Sequence, residues 1–306
     1  MDVKQLEYIT TIAREESITK AAAKLFITQS ALNQQLLKLE KELGTPLFIR
    51  GRNFCYPTEA GEIYLKGARE VLTIKENTYH QLDDLVDNRK SLLRVGFTPT
   101  RGIDMFTKVY PNFHRSHVNV TVYPFEMSVK EQHEGLRSGT LDLAFATLTP
   151  RQYHSGIAYQ EIMDEEIYLA IPSRHPLAAS YQENQENLPT LDLAKVKEEP
   201  FVLLHQDSTQ RPLLDELFAK ADFTPHVLFE TSSPRTMISM IEMELCCGFL
   251  PAYYVDRKNE KIAYFALPER PHWKVVASYQ KQRYLNKTAK DFLSLAAKYW
   301  HETVTI

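Results

Sequence analysis

The stretch that decides the fold is ITKAAAKLFITQSALNQQLLKLEKELGTPLF, which runs from Ile18 to Phe48. Its composition is helical, but Leu25–Ile27 interrupts it, and a second helical piece opens at Thr28 with short polar side chains. Threonine is a good N-cap, and a glycine followed by a proline, as at Gly44 and Pro46, ends a helix cleanly. The pattern therefore predicts a helix, a short turn and a second helix, with groups that bond rather than pack on the first turns of the second helix.

Hydrophobic periodicity extends this pair into a small all-α head. Apolar residues at three- and four-residue spacing predict a first helix over about 3–14. Ser17 and Thr19 are candidate N-caps for a short second helix over 20–25, and a hairpin-like wing is expected after Pro46. The apolar stripe of the third helix consists of Leu32, Leu36, Leu39 and Leu43.

The polar tip of the third helix is a candidate for reading DNA. The second helix of a helix-turn-helix presents its first turns to the major groove, where Asn and Gln can pair with adenine edges and Ser can bond several bases. Cations near that helix would contact phosphates without reading sequence. A solvated helix pair without a ligand is the alternative, because this motif is also a common packing unit. The candidate DNA-binding residues are Thr28, Gln29, Ser30, Asn33 and Gln34 at the tip, with Lys38, Arg50 and Arg52 for phosphates.

Charge is distributed unevenly along the 306 residues. The net charge of −3 argues mildly against a nucleic-acid binder. Between Ser17 and Thr58, however, six Lys and Arg residues stand against two Glu residues, a local charge of +4. A small basic module on a mildly acidic body is typical of a DNA-reading head.

Composition points to an ordinary globular protein, with 43% hydrophobic and 25% charged residues. No apolar run has the length of a membrane span, and the charged N-terminus lacks the apolar core of a signal peptide, so we expect a cytoplasmic protein. Cys55, Cys246 and Cys247 offer neither a disulfide framework nor zinc-ligand spacing, and small buried thiols are expected. A redox pair of the two adjacent cysteines is the strained alternative. No metal or cofactor is expected.

A long linker helix is predicted over residues 58–89, with Thr58 as its N-cap. Its seam has heptad spacing, which is typical of a coiled coil between two copies of the chain. An amphipathic helix packed on its own domain is the alternative. Asp87–Ser91 is polar enough to form a hinge after the helix. The seam consists of Leu65, Ala68, Leu72, Lys75, Tyr79, Leu82 and Val86.

The body shows the same order of strands and helices twice. Apolar strands alternate with helices, which predicts two α/β lobes with mainly parallel sheets facing each other across a cleft. Short crossings are expected near 159–166 and 262–267, and the late strand and the C-terminal helix are expected to return to the first lobe. We place lobe I at about 90–162 and 267–306, and lobe II at about 163–266.

Four polar turns fall at the carboxyl ends of these strands, where ligands of open α/β sheets bind. Each turn places Ser or Thr hydroxyls at a helix N-terminus, where anions bind favourably. A neighbouring arginine could bind a carboxylate through two parallel hydrogen bonds. Capping alone also explains Ser or Thr at such positions. The residues are Thr98 and Thr100, Ser128, Ser208 and Thr209, Ser232 and Ser233, with Arg101, Arg211 and Arg235 beside three of the turns.

The head residues SITKAAAKLFITQSALNQQLLKLEKELGTPLFIRGR, followed by PTEAG, resemble the DNA-binding head of the LysR-type transcriptional regulators. The resemblance implies a winged helix-turn-helix head and a dimerising linker helix. Three positions depart from the usual pattern, namely Thr28, Asn33 and Pro57. Of these, Asn33 changes which base edges the helix can meet.

The body resembles the same family more loosely, through LRVGFTPT, GTLDLAFA, IYLAIPSRHPLA and GFLP. This resemblance implies a two-lobed effector-binding domain with a periplasmic-binding-protein-like fold. By the same resemblance, the effector would touch Thr98, Thr100, Ser128, Thr147 and the segment His205–Thr209, which includes Gln206 and Ser208.

The sequence thus predicts a transcriptional regulator that works as a dimer or tetramer. Residues 1–57 would bind double-stranded operator DNA, residues 58–89 would pair two heads, and residues 90–306 would bind a small, anionic metabolite. A solute-binding module without DNA affinity is the first alternative. An enzyme using the cleft is the second, although no nucleophile–base pair at recognisable spacing supports it.

Overall fold

The computed structural model describes residues 2–51, 54–85, 91–181 and 188–303. The chain divides into two compact units, the first formed by Met1–Lys90 with Gln280–Lys287 and the second by Ser91–Tyr279 with Thr288–Ile306. Three predictions lie wholly or largely outside the described residues: the phosphate contact of Arg52, the last seam position Val86, and the hinge at 87–91.

The head contains the three predicted helices, α1 (Val3–Glu15), α2 (Ile18–Lys24) and α3 (Gln29–Leu43). Ser17 caps α2 by accepting a hydrogen bond from the backbone of Lys20. The alanines of α2 allow close helix packing, since Ala21 and Ala22 are buried in the core of the head. The predicted leucine stripe of α3 is buried at its first three positions, Leu32, Leu36 and Leu39, whereas Leu43 is exposed.

The wing is a two-stranded antiparallel hairpin of β1 (Phe48–Arg50) and β2 (Cys55–Pro57). It lies close to the start of the linker helix. A side chain at Gly61 would collide with the carbonyl oxygen of Leu47, so only glycine fits there.

The linker helix α4 spans Glu59–Leu85. The first part of its predicted seam faces its own head: Leu65 joins the head core, and Ala68 is also fully buried. Lys75, which breaks the seam, forms an ion pair of 2.7 Å with Glu7 of α1. This part of the seam therefore follows the alternative of a helix packed on its own domain. The exposed apolar side chains of α4 are Ile63, Val71, Ile74, Tyr79, Leu82 and Leu85.

The second half of α4 is contacted by the segment Gln280–Lys287, which belongs to the same unit. Asn77 donates to the carbonyl oxygen of Gln282 at 2.7 Å and accepts from the backbone of Tyr284 at 2.7 Å. Asp84 accepts from the Tyr284 hydroxyl at 3.0 Å and from the backbone of Lys287 at 3.1 Å. Along the chain, this segment joins the last strand to the last helix.

The second unit contains the predicted double series of strands and helices. Its strands are β3 (Ser91–Phe97), β4 (Val120–Glu126), β5 (Leu143–Leu148), β6 (Ile157–Pro172), β7 (Pro200–Leu204), β8 (His226–Thr231), β9 (Gly248–Pro251), β10 (Ile262–Phe265) and β11 (His272–Gln280). Its helices are α5 (Arg101–Ser116), α6 (Val129–Ser138), α7 (Gln210–Lys220), α8 (Pro234–Glu242) and α9 (Lys287–Thr303).

The sheets are mixed rather than mainly parallel. Strand β3 pairs in parallel with β4 and β5, and β7 pairs in parallel with β8. In contrast, β11 runs antiparallel to β5, and β6 runs antiparallel to β9 and β10. The first crossing is not a short link but part of the 16-residue strand β6. A return strand such as β11 enters the first lobe from the opposite end, which makes its pairing antiparallel.

Among the described residues, no helix is both long enough and apolar enough to cross a membrane.

Candidate DNA-reading helix and effector site

The tip of α3 is built around a capped first turn. The Thr28 hydroxyl accepts from the backbone of Ala31 at 3.2 Å and lies 3.2 Å from the Ser30 hydroxyl. Gln29, Ser30 and Gln34 are exposed. With the leucines buried behind it, this tip is a rigid display of polar groups, which is the arrangement that major-groove reading requires.

The predicted phosphate contacts are placed differently from one another. Lys38 is exposed on α3. Arg50 is also an exposed residue, but its side chain is tied to α3: its guanidinium donates to the carboxylate of Glu40 and, at 3.3 Å, to Oδ1 of Asn33. Glu40 is nearly buried and also accepts from the backbone of Leu47 at 2.8 Å.

The sequence did not predict the structural role of Glu40, which entered only the charge balance of the basic head. The signal was its spacing, since a residue four positions after Leu36 lies on the same helix face. A carboxylate on a buried face must find partners, and here these are the start of the wing and Arg50.

The turn between α2 and α3 contains Phe26 in the left-handed backbone region, with φ of 54° and 95% of the residue exposed. This conformation is unfavourable for any residue with a Cβ other than Asn or Asp. The exposed ring recovers no packing energy in return.

The first predicted effector turn is strained. Thr100 has φ of 64° and ψ of −80°, and the backbone of Arg101 donates to the carbonyl oxygen of Pro99 at 2.9 Å. This is a classic γ-turn, which is rare and costly for a non-glycine residue. Thr98 and Thr100 are both partly exposed.

The structure brings together two predicted effector residues from the two lobes. The Thr209 hydroxyl donates to the carbonyl oxygen of Thr147 at 3.0 Å, and it accepts from the side-chain amide of Gln152 at 3.4 Å. Thr209 precedes α7 of the second lobe, whereas Thr147 lies on β5 of the first lobe. This contact joins one of the four polar turns to a strand of the other lobe, and the convergence of the turns themselves stays a prediction.

Ser128 already has an anionic partner. Its hydroxyl and its backbone N–H each donate to the carboxylate of Glu131 at 2.8 Å in a capping box. These hydrogen bonds lower the pKa of Glu131. A second anion at this helix terminus would face the charge of Glu131, which disfavours an anionic ligand there.

The segment His205–Thr209 adjoins a charged cluster in the second lobe. His205 lies 3.6 Å from the Glu230 carboxylate, and Arg211 pairs with both Glu230 and Asp215. Hydrogen bonding to Arg211 lowers the pKa of Glu230. Gln206 is exposed, and the hydroxyl of Ser208 accepts from the backbone of Arg211 at 3.2 Å.

Arg101 has contacts other than those predicted for an effector ligand. Its guanidinium is buried and donates to Glu165 of β6, with its Cζ atom 4.9 Å from the Tyr253 ring centroid and 4.5 Å from that of Trp300. The indole of Trp273 also donates to Glu165, at 2.6 Å. Sequence reasoning missed Glu165 because the run Asp-Glu-Glu looks solvated, although two-residue alternation places it on the face of the buried Ile167.

The cysteines are free and buried, as expected. Burial raises the pKa of Cys246 to about 11 and that of Cys247 to about 12. Such thiols carry little thiolate at neutral pH, which makes them poor redox sensors. Over the described parts of the chain, no group of three or more His, Cys, Asp or Glu side chains is placed to hold a metal ion.

Comparisons with known proteins agree with this architecture. Residues 3–62 match the family described as "Bacterial regulatory helix-turn-helix protein, lysR family", and residues 87–300 match "LysR substrate binding domain". The HTH-type transcriptional regulator YwbI of Bacillus subtilis (strain 168) is 28% identical to the chain over 304 residues, covering 98% of this chain and 97% of that protein.

Two solved structures share the fold. A full-length OxyR variant from Pseudomonas aeruginosa is 22% identical, covers 97% of this chain and 94% of its own, and superposes with a TM-score of 0.70. Full-length CbnR in complex with its target DNA is 21% identical, covers 97% of this chain and 99% of its own, and gives a TM-score of 0.53.

These findings define a DNA-binding regulator with a helix-turn-helix head and an effector-binding domain. The chain belongs to the LysR family of transcriptional regulators.

Proposed function

We propose that the tip of α3 reads operator DNA. The observation that carries this proposal is the exposure of Gln29, Ser30 and Gln34 on a helix whose opposite face is locked into the head core. Lys38 would add a phosphate contact from the same helix. A regulator of this kind acts where the chromosome lies, so we place it in the cytoplasm.

We further propose that a small anionic metabolite binds between the lobes, at Thr98, Thr100, Thr147 and the segment 205–209. Two observations support this site. The backbone at Thr100 is strained, which is a feature of ligand sites. The Thr209–Thr147 hydrogen bond joins the lobes at the same ends of their strands, so a ligand that replaces it would change how the lobes meet.

Anion chemistry is favoured at the helix that follows Thr100, because a helix N-terminus attracts negative charge. It is disfavoured at Ser128, where Glu131 already supplies the charge. We therefore expect Ser128 to contribute less than the other turns, and Arg101 to position β6 rather than to touch the ligand.

We propose a homodimer formed through α4, and a tetramer built from two such dimers. The exposed apolar side chains Ile63, Val71, Ile74, Leu82 and Leu85 recur on one side of this helix at spacings of three and eight residues. This stripe shares Leu82 with the predicted seam, whose first part is packed on the head, and it is the surface that would pair with a second copy. We keep 57 and 89 as the proposed boundaries of the head and the linker helix.

The experiment that tests this function has two readouts on the full-length protein. A mobility-shift assay with selected DNA should show binding that weakens steeply with salt. A thermal-shift screen of small carboxylates and neutral metabolites should give a stabilising anion. If the protein binds DNA but no anion stabilises it, the proposed DNA-reading function stands and the proposal of an anionic effector is wrong.

A further inference from the structure

Asn33 occupies an unusual place among the polar residues of α3. It is partly buried, and its side-chain oxygen Oδ1 lies 3.3 Å from Nη1 of Arg50 on the wing. Every nitrogen of a guanidinium is a donor and none is an acceptor. The amide atom that faces Arg50 must therefore be the oxygen, which points the amide nitrogen Nδ2 away from the wing.

Arg50 is not free to release this amide. Its other terminal nitrogen donates to Glu40. Glu40 is only 9% exposed and is itself fixed by the backbone N–H groups of Leu47 at 2.8 Å and Phe48 at 3.3 Å. Loss of any of these three hydrogen bonds would leave a buried carboxylate charge less well compensated, which is unfavourable. Arg50 therefore stays in place beside Glu40.

We propose that Arg50 is a positioning residue that gives Asn33 a fixed polarity in the major groove, so that Asn33 reads with its donor. This inference rests on the proposed DNA-reading function of α3. A freely rotating asparagine offers either its oxygen or its nitrogen to a base edge. With the oxygen turned to the wing, the base that meets Nδ2 must carry an acceptor.

The consequence is a definite discrimination between bases. Purine N7, guanine O6 and thymine O4 are acceptors in the major groove, whereas cytosine presents the N4 donor. Cytosine is therefore excluded at the position that Asn33 reads. Adenine stays permitted through a single hydrogen bond from Nδ2 to its N7, but the bidentate adenine pairing expected from the residue type alone is lost, because it needs the amide oxygen.

The test is selection of binding sites from randomised DNA by the full-length protein and three variants. Arg50→Met removes the donors and lets the amide turn, so cytosine should become tolerated, with a roughly tenfold loss of discrimination at one base pair. Asn33→Asp leaves only acceptors and should favour cytosine at the same base pair. Arg50→Lys keeps a donor and should restore part of the discrimination.

Several outcomes overturn the inference. If Arg50 serves only as a phosphate contact, Arg50→Met will weaken binding to all sequences alike and lower the salt slope by about one, with base preference unchanged. An Asn33→Asp variant that does not gain cytosine also contradicts it. If the wild-type protein enriches no sequence at all, the proposed DNA-reading function of α3 is wrong. That outcome is distinct from a failure of the inference about Asn33 alone.

A second measurement separates a loss of stability from a change in the orientation of the Asn33 amide. Arg50→Met leaves Glu40 unpaired, so its melting temperature is recorded beside that of Glu40→Gln/Arg50→Met, in which the unpaired charge is also removed. The double variant should recover stability but still tolerate cytosine. If the double variant discriminates against cytosine as sharply as the wild type, Arg50 does not set the polarity of Asn33.

Discussion

Arg101 and Glu165 form an ion pair that is almost completely excluded from solvent, with 8% of the arginine and none of the glutamate side chain exposed. The pair joins the start of α5 to the long strand β6. Trp273 and the backbone of Tyr253 donate to the same carboxylate. Arg101, which the sequence suggested as an effector ligand, is thus buried in an ion pair that joins α5 to β6.

We predict that Glu165→Gln destabilises the effector domain by about 3–5 kcal/mol, because it leaves the charge of Arg101 buried and uncompensated. Urea denaturation measures the loss. The matched control is Glu166→Gln, whose exposed partner Arg270 lies at 3.0 Å and whose loss should cost at most about 1 kcal/mol. Equal effects of the two variants would mean that the buried pair has no special role.

We predict that Thr100→Ala abolishes the thermal shift produced by the effector and leaves operator affinity within about twofold, since only the proposed ligand contact is removed. Thr107→Ala serves as the control, because the Thr107 hydroxyl bonds its own helix at the carbonyl oxygen of Asp104, 2.9 Å away. A normal effector titration by the Thr100 variant would take Thr100 out of the site.

We predict that Phe26→Asn stabilises the head by about 1 kcal/mol, because asparagine tolerates the left-handed conformation that Phe26 adopts. Phe26→Ala separates the two effects of the change, since it removes the exposed ring but keeps a strained backbone. It should therefore gain nothing. Thermal unfolding of the three proteins compares them, and equal melting temperatures would show that the turn is not strained.

We predict that stability falls as the pH drops from about 6.5 to 4, partly through His133. Burial, with smaller effects of His154 and Arg137, lowers the pKa of His133 to about 4. Between pH 6.5 and 4, His133 therefore binds a proton in the unfolded chain but not in the folded chain. This difference lowers the free energy of unfolding by up to roughly 3 kcal/mol at pH 4.

The pH dependence is measured by urea unfolding of the wild type and of His133→Gln. The variant cannot take up this proton, so its stability should change less between pH 6.5 and 4. Replacement of the exposed His226 by Gln is the control and should leave the slope unchanged. An identical slope for the His133 variant would assign the acid sensitivity to other groups.

The sequence was sufficient for the head and for the order of elements. Thr28, Gly44 and the leucine spacing define α3 because capping and helical periodicity are local rules. Ser128, named from the sequence as a hydroxyl at a helix N-terminus, likewise caps α6. Local rules also predicted the buried thiols.

What the sequence could not predict depends on partners distant along the chain. Leu65 has coiled-coil spacing, but the head offers it a nearer apolar surface. Glu40, Glu165 and Arg101 are paired with residues 10 to 64 positions away, and charge alone does not reveal such pairs. The γ-turn at Thr100 is a conformation that no local preference of threonine favours.

The most direct test of the central claim is a competition titration between a selected operator fragment and a scrambled fragment, at two salt concentrations, for the wild type and for Gln29→Ala. We predict a wild-type preference for the operator that persists as salt weakens both affinities, and a loss of about 1–3 kcal/mol at one base pair in the variant. Equal affinity of the wild type for both fragments, or unchanged preference in the variant, would contradict the assignment of the α3 tip as the reader of the operator.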